Sequence, residues 1–101
     1  MNQLKQLINQ LHLSIQYRKP HIIVASKIYK LSYIVNNYDQ YDSNELTIDI
    51  IDLIHLISND RTVSSETIQI FSGIIIYGID NNLFDRDNID YLSQEFAKMK
   101  L

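Results

Sequence analysis

The sequence predicts an all-α protein: an antiparallel four-helix bundle with a short additional C-terminal helix. Apolar residues recur at helical spacing, polar capping residues precede several of these stripes, and the 101 residues include only one proline and two glycines. Hydrophobic residues make up 46% of the composition, which is normal for a globular protein. No linker, repeat or low-complexity stretch interrupts the pattern, so residues 1–101 are expected to form a single domain.

The first two helices are predicted from apolar stripes on either side of Pro20. The apolar positions of the first stripe are Leu4, Leu7, Ile8, Leu11 and Ile15. Those of the second stripe are Val24, Ile28, Leu31, Val35 and Tyr38. Proline disfavours helix in the residue before it but suits a first helical turn, so Pro20 separates the two helices. The polar stretch 36–44 provides the next turn.

The third and fourth helices are expected to begin at caps. Asp42 followed by Glu45 resembles a capping box, in which two helix-terminal amides are satisfied reciprocally. Ser64 can cap the amide of the residue three positions later, while Val63 and Ile68 have the spacing of a hydrophobic staple. The apolar positions of the third helix are Leu46, Ile50, Leu53, Ile54 and Ile57.

The fourth segment is apolar on two opposite sides. One side holds Ile68, Phe71, Ile75 and Ile79, and the other holds Ile70, Ile74 and Tyr77. A helix that is apolar all round is either central or at an interface, so the second side can be core, a dimer interface or a partner surface. Its isoleucine content leaves a buried strand as an alternative, although a length of about 15 residues favours helix.

The last helix is predicted to open at a second staple, formed by Phe84 and Ile89 around Asp85. Its apolar face consists of Ile89, Leu92, Phe96 and Met99. With this helix, the predicted bundle is complete.

The sequence offers little equipment for catalysis, so we predict a non-enzymatic protein without a cofactor. It contains no cysteine, glycine-rich phosphate loop, nucleophile elbow or HExxH motif. Asp49, Asp52 and His55 share a helix stripe that could suggest a divalent metal. A further ligand and an ordered second shell are not identifiable, so we interpret this stripe as a solvated polar face.

Charge is distributed unevenly along the chain. The first 38 residues carry five basic residues and no acid, whereas the remainder carries all twelve acids and four basic residues. We expect the basic N-terminal helices to pair with the acidic later ones inside the bundle. The alternative is a basic face for an anionic surface, for which Lys19, Lys27 and Lys30 are the candidates. The basic residues are too sparse to favour nucleic-acid binding.

A cytoplasmic location is expected. The N-terminal residues begin an amphipathic pattern at once and lack the continuous apolar region of a signal peptide. Apolar runs such as 74–77 are far shorter than the roughly 20 residues needed to span a bilayer. At most a weak, salt-sensitive peripheral contact with the inner membrane face is expected from so few lysines.

Three stretches carry a resemblance to a known family: residues 28–31 (IYKL), 50–54 (IIDLI) and 62–66 (TVSSE). With the length and the succession of amphipathic helices, they make the chain resemble the immunity proteins of class IIa (pediocin-like) bacteriocins, in the enterocin A and carnobacteriocin B2 immunity groups. The similarity extends over roughly residues 20–95.

This resemblance implies a cytoplasmic, monomeric helical bundle that protects the producer cell from a pore-forming peptide. The implied partner is the membrane receptor of the mannose phosphotransferase system with the bacteriocin bound. The family's C-terminal half is held to determine which bacteriocin is recognised. Our hypothesis is that the surplus apolar surface of that half contributes to recognition, either through Ile70, Ile74 and Tyr77 or through the 81–84 connection, with Leu83 and Phe84, and the last helix.

Two other kinds of function remain open at the level of sequence. The chain can be a regulatory or phage-encoded module that sequesters another protein by helix packing. It can also be a scaffolding dimer in which the second side of the fourth helix forms the interface.

Overall fold

In a computed structural model, the described part of the chain forms five helices in the predicted order. They are α1 (Gln3–Arg18), α2 (Ile22–Asn37), α3 (Ser43–Ser58), α4 (Ser65–Asp80) and α5 (Ile89–Lys98). The structure describes residues 3–18, 22–37 and 40–99, without the side chains of residues 17 and 18. These residues contain no strand, so the all-α prediction is confirmed and the fourth segment is a helix. The predictions for Lys19, Pro20 and Tyr38 fall outside the described residues.

The helices pack as a four-helix bundle to which α5 is added. Helix α1 lies between α2 and α4, while α3 lies between α2 and α5. Each of the first four helices has 16 residues and is therefore about 24 Å long, within overall dimensions of 31 × 29 × 19 Å.

Side-chain contacts give the helix directions. Lys27 lies near Asp52 while Lys30 lies near Asp49, so α2 and α3 run antiparallel. Helix α5 instead runs parallel to α3, because Asp85 contacts the beginning of α3 and Glu95 contacts its later part. The last part of α4 lies near the beginning of α3, because Phe84 packs on Gly78 and the next residue, Asp85, contacts Thr47. Helix α4 therefore runs antiparallel to α3.

One continuous apolar core joins all five helices. The most deeply buried large side chains, all less than 2% exposed, are Leu4, Ile8, Leu11, Ile28, Leu31, Leu46, Ile50, Leu53, Ile54, Phe71, Ile74 and Ile75. They come mainly from the stripes that the helical periodicity predicts, which shows that the pattern of apolar positions fixes the face that each helix buries.

Both predicted helix starts carry a cap, but the reciprocal capping box predicted for Asp42 and Glu45 is not formed among the described residues. The Asp42 carboxylate accepts a hydrogen bond from the amide of Asn44 at 2.9 Å, rather than from Glu45 as in a standard capping box. The Ser64 hydroxyl accepts one from the amide of Thr67 at 3.2 Å. Each cap satisfies one of the amides that a helix start leaves unpaired.

The start of α5 differs from the predicted opening at a staple around Asp85. Helix α5 begins at Ile89, and its cap position is Asn88. The Asp85 carboxylate accepts a hydrogen bond from the Asn88 side chain at 2.8 Å, which stabilises a turn before the helix. The amide of Asp85 is used elsewhere, since it donates to the buried hydroxyl of Thr47 at 2.8 Å.

A Schellman motif ends α4 and turns the chain towards α3. The amide of Leu83 donates to the carbonyl of Gly78 at 2.9 Å, and the amide of Asn82 donates to that of Ile79 at 3.2 Å. Asn82 has a φ of 56°, the left-handed conformation that this motif requires. The turn directs Phe84 back over the last part of α4.

Phe84 packs directly on Gly78. A Cβ atom added at Gly78 would lie 2.4 Å from two carbons of the Phe84 ring, so no side chain fits there while the ring keeps its position. Phe84 is itself buried. Gly78 is therefore required by a close contact between α4 and the connection to α5.

Among the described residues, none of the helices is both long enough and apolar enough to cross a membrane.

The two glycines of α4 should respond oppositely to alanine. We expect Gly78→Ala to lower the free energy of unfolding by about 1–3 kcal/mol, because the added methyl overlaps the buried Phe84 ring. Gly73→Ala is the matched control: nothing lies within 4 Å of its Cβ position, so it should raise stability by about 0.4–1 kcal/mol. Urea denaturation of both variants is the measurement. Equal stabilisation by both would show that Phe84 does not occupy this position.

Candidate functional site

The outward side of α2 carries exposed aliphatic and aromatic side chains. We call Ile22, Ile23, Tyr29 and Tyr33 the α2 ridge. Ile22 is 74% exposed and Tyr33 is 59% exposed, and the other two are about half exposed. Within the described residues, eight large hydrophobic side chains are exposed, and five of them lie on α1 and α2. The largest concentration of exposed apolar surface is therefore on this helical hairpin.

Helical geometry explains why the α2 ridge points outward. The stripe predicted from the sequence faces the core, and its members Val24, Ile28, Leu31 and Val35 are almost fully buried. Ile22, Tyr29 and Tyr33 are spaced seven and four residues apart, so they share the opposite side of the same helix. The Tyr29 ring also meets the edge of His12 on α1, with ring centroids 4.6 Å apart, which holds Tyr29 in place.

Lysines beside the ridge connect α2 to α3. The Lys27 ammonium lies 3.2 Å from Asp52 and 3.9 Å from Asp49, while the Lys30 ammonium lies 3.6 Å from Asp49. We call this boundary, formed by Lys27 and Lys30 with Asp49 and Asp52, the α2–α3 seam. The expected pairing of basic N-terminal helices with acidic later ones is confirmed there. Of the predicted basic face, Lys27 and Lys30 are thus at the α2–α3 boundary, whereas Lys19 lies outside the described residues.

Asp49 corrects the interpretation of the acidic stripe as solvated. Its side chain is only 7% exposed, and its Oδ2 atom has no hydrogen-bond partner among the described residues. The carboxylate is therefore held by the charges of two lysines without hydrogen bonds from them. Burying a charge in this way is costly unless the opposite charges stay in place. Asp52, by contrast, is about half exposed.

Two shallow clefts are lined in part by Lys30, one on α2 alone and one between α2 and the beginning of α3. One, of about 460 Å³, is lined by Ile22, Ile23, Ser26, Lys27 and Lys30. The other, of about 320 Å³, is lined by Lys30, Tyr33, Ile34, Gln40, Tyr41, Asp42 and Glu45. Apolar surface and ammonium groups thus alternate along α2, an arrangement that suits binding of an extended surface.

The five predicted recognition residues do not form one exposed surface. Ile74 is fully buried and Phe84 is nearly so; both belong to the core and are not accessible to a partner in this conformation. The prediction is wrong for these two, because α4 buries apolar residues on both of its sides. Ile70, Tyr77 and Leu83 are partly buried and pack against the core with their edges accessible.

The α2 ridge was not predicted from the sequence. Its residues occupy positions opposite the buried stripe, which would ordinarily be polar. The sequence does contain the relevant pattern: these apolar residues lie on the side of the helix opposite the stripe that faces the core. Ile76, about half exposed on α4, was missed for the same reason.

A second polar contact joins α5 to α3. His55 Nε2 lies 3.6 Å from a Glu95 carboxylate oxygen, and the His55 and Tyr91 rings meet edge to face with centroids 6.2 Å apart. Lys98 lies 3.5 Å from the other Glu95 oxygen. His55 thus contacts α5, while Asp49 on the same stripe faces α2.

The pKa of Glu95 reflects these neighbours. Partial burial raises the pKa of the Glu95 carboxyl. The Lys98 charge and hydrogen bonds from the side chains of Tyr91, Lys98 and His55 lower it, and together they outweigh the effect of burial. The pKa of Glu95 therefore lies below its ordinary value of 4.5. The ionised form of Glu95 stabilises the contact between α3 and α5.

Throughout the part of the chain that the structure describes, no three histidine or acidic side chains come together in a way that could hold a metal ion. Asp49, Asp52 and His55 are divided between two interfaces.

No protein-family model, curated protein or solved structure matches this sequence.

Removing the counter-charges of the buried Asp49 should cost much more stability than removing the half-exposed charge of Asp52. Replacing both Lys27 and Lys30 with methionine should lower the free energy of unfolding by about 2–3 kcal/mol, because the buried Asp49 carboxylate loses its counter-charges. Adding Asp49→Leu to this variant should recover most of the loss. The control Asp52→Asn removes a half-exposed charge and should change stability by less than about 1 kcal/mol. A loss in the double variant no larger than in the control, measured in urea, would contradict this account.

Glu95 predicts a loss of stability in acid. Because its pKa is lower in the folded than in the unfolded state, its contribution is fully present above pH 4.5 and is lost as the pH falls through the folded value. Glu95→Gln should therefore be less stable than wild type at neutral pH, with a difference that disappears in acid. Thermal unfolding from about pH 3 to about pH 7 measures this. A Lys98→Gln background should move the acid transition towards the ordinary pKa. A difference between wild type and Glu95→Gln that is constant over the whole range is incompatible with this role.

Proposed function

We propose that this chain is a non-enzymatic immunity protein that protects a bacteriocin-producing cell from a pediocin-like pore-forming peptide. The structural observation that supports the proposal is the α2 ridge, a set of aliphatic and aromatic side chains left exposed on a helical bundle. The identity of the partner comes from the resemblance over roughly residues 20–95. The all-helical fold is the kind of fold that this resemblance implies.

The proposed partner is the membrane part of the mannose phosphotransferase receptor after the bacteriocin has engaged it. In this proposal the immunity protein joins that complex from the cytoplasmic side and blocks the pore. Binding by packing of apolar side chains needs no catalytic group, in keeping with a surface that offers mainly aliphatic and aromatic contacts.

Selection of the bacteriocin is assigned to the C-terminal half. The accessible edges of Ile70, Tyr77 and Leu83, together with the exposed side of α5, are the candidate determinants. Tyr91 is the most exposed aromatic residue of α5, at 47%. Ile74 and Phe84 act only indirectly in this proposal, by holding α4 and the α4–α5 connection in place.

A second candidate function is supported by the α2 ridge itself. An exposed helix with apolar residues at helical spacing suits a module that captures another protein by helix packing. One form of this alternative is a scaffolding dimer, in which the captured protein is a second copy of the chain. Size-exclusion chromatography with light scattering distinguishes such a dimer from an immunity protein, which is expected to be monomeric.

The proposal predicts selective resistance. Expressed in a bacteriocin-sensitive indicator strain, the chain should protect against one or a few pediocin-like peptides and leave sensitivity to the others unchanged. Exchanging residues 62–101 with those of a related immunity protein should move the specificity to the peptide of the donor. Ile70→Ser and Tyr77→Ser should reduce protection, whereas Ile48→Ser, an exposed position on α3, should not.

Circular dichroism and immunoblotting verify that each variant is folded and expressed. Uniform sensitivity to the whole panel, with folded protein present, would remove the immunity function in favour of an interaction module.

A further inference from the structure

We propose that the α2 ridge, with Lys27 and Lys30 beside it, docks the protein on the surface of an anionic lipid bilayer. This inference rests on the proposed function in one respect: the membrane concerned is the one that contains the receptor. The docking is a property of the isolated chain and is tested separately.

The side chains of the ridge suit the boundary between lipid tails and headgroups. Ile22 and Ile23 supply aliphatic surface that can enter the outer part of the acyl region. Tyr29 and Tyr33 supply rings with a polar end, the type of side chain enriched at membrane interfaces. From Ile22 to Tyr33 the ridge extends about 16 Å along the helix axis, so α2 would lie in the plane of the membrane.

Charge complementarity favours an anionic surface as the occupant. Helices α1 and α2 contain no aspartate or glutamate. Lys30 is 53% exposed, and the Asp49 carboxylate that it neighbours is buried beneath it. The lysines can therefore contact lipid phosphates while retaining the carboxylate, since an ammonium group carries three donors. Three acids oppose such contact: the half-exposed Asp52, and the exposed Asp42 and Glu45 near Lys30 and Tyr33.

The same charges disfavour a second copy of the chain as the occupant. Pairing two α2 ridges would bring two helices with only basic charges face to face, and like charges across an interface are repulsive. An anionic bilayer removes this repulsion and covers the same apolar side chains.

Two forces then act together, and they respond differently to solution conditions. Attraction of the lysines to anionic lipid falls as salt rises, because the screening length shortens. Burial of the ridge does not depend on salt in this way. Binding should therefore require anionic lipid, weaken with salt, and fail when the ridge is made polar.

The test is co-sedimentation of the full-length chain with vesicles of phosphatidylcholine containing about one third phosphatidylglycerol. Binding is expected to these vesicles and not to pure phosphatidylcholine, and to decrease as sodium chloride is raised. Ile22→Ser with Tyr33→Ser should weaken partitioning by about tenfold or more. Lys30→Gln should weaken it by about fivefold, and Asp52→Asn should strengthen it.

Matched controls exclude a general effect of surface hydrophobicity. Ile76→Ser removes an isoleucine that is 49% exposed on α4, and Ile48→Ser removes one that is 46% exposed on α3; neither should change binding. Circular dichroism verifies that all variants are folded.

Absence of binding to anionic vesicles would overturn the inference, as would unchanged binding by the ridge variant or binding that ignores salt. Dimers in light scattering that Ile22→Ser with Tyr33→Ser dissociates would assign the ridge to a second copy instead. The indicator-strain assay keeps the two proposals apart. If the chain binds vesicles but does not protect the indicator strain, the docking surface stands and the immunity function is rejected. If it protects the strain but does not bind vesicles, the immunity function stands and the docking surface is rejected.

Discussion

The buried carboxylate of Asp49 is the constraint on which the arrangement of α2 and α3 depends. A charge in the interior requires opposite charge nearby, and only Lys27 and Lys30 lie within 4 Å as cations in the described structure. These lysines are three residues apart on α2, so they fix both the rotation of α2 and its register against α3. Rotating α2 to bury its ridge would withdraw both ammonium groups from Asp49. Exposure of Ile22, Tyr29 and Tyr33 thus follows from the core packing of the opposite stripe, and these ion pairs reinforce it.

A second constraint holds the C-terminal part against the same helix. The Schellman turn after α4 places Phe84 on Gly78, and the next amide, that of Asp85, reaches the buried hydroxyl of Thr47 on α3. Thr47 also donates to the carbonyl of Ser43, so its hydroxyl is satisfied as donor and acceptor. Helix α5 then follows α3 in the same direction and ends with the Glu95 contact to it. Helix α3 therefore carries the docking of α2 on one side and of α5 on the other.

Much of the fold follows from local physical chemistry that the sequence displays. Apolar periodicity specifies the buried side of each helix, and Ser64 and Asp42 mark helix starts because a cap is satisfied by neighbouring residues alone. The errors concern interactions with distant residues. Ile74 is core because α4 has neighbours on both sides, and Asp49 is buried because α2 brings two lysines over it. The residues before Ile89 form a turn, and the Asp85 amide in it is anchored to Thr47, 38 residues earlier. Periodicity shows which side is apolar, but not which element covers it.

Because the acids are confined to the later part of the chain, helices α1 and α2 contain none. Neither helix pairing nor core formation requires this separation. If the acids served only to pair with lysines across the bundle, they could be distributed over all helices with the same core. Their restriction to the region after residue 38 leaves α1 and α2 without any negative side chain. Asp49 neutralises part of this basic charge from the inside, where a partner on the outside cannot contact the carboxylate directly. The two helices that carry most of the exposed apolar side chains are thus also the helices without acids, and the nearest exposed acids belong to α3 and the residue before it. Apolar contact and attraction to an anionic surface act in the same direction there, and separating the two by substitution reveals how much each contributes.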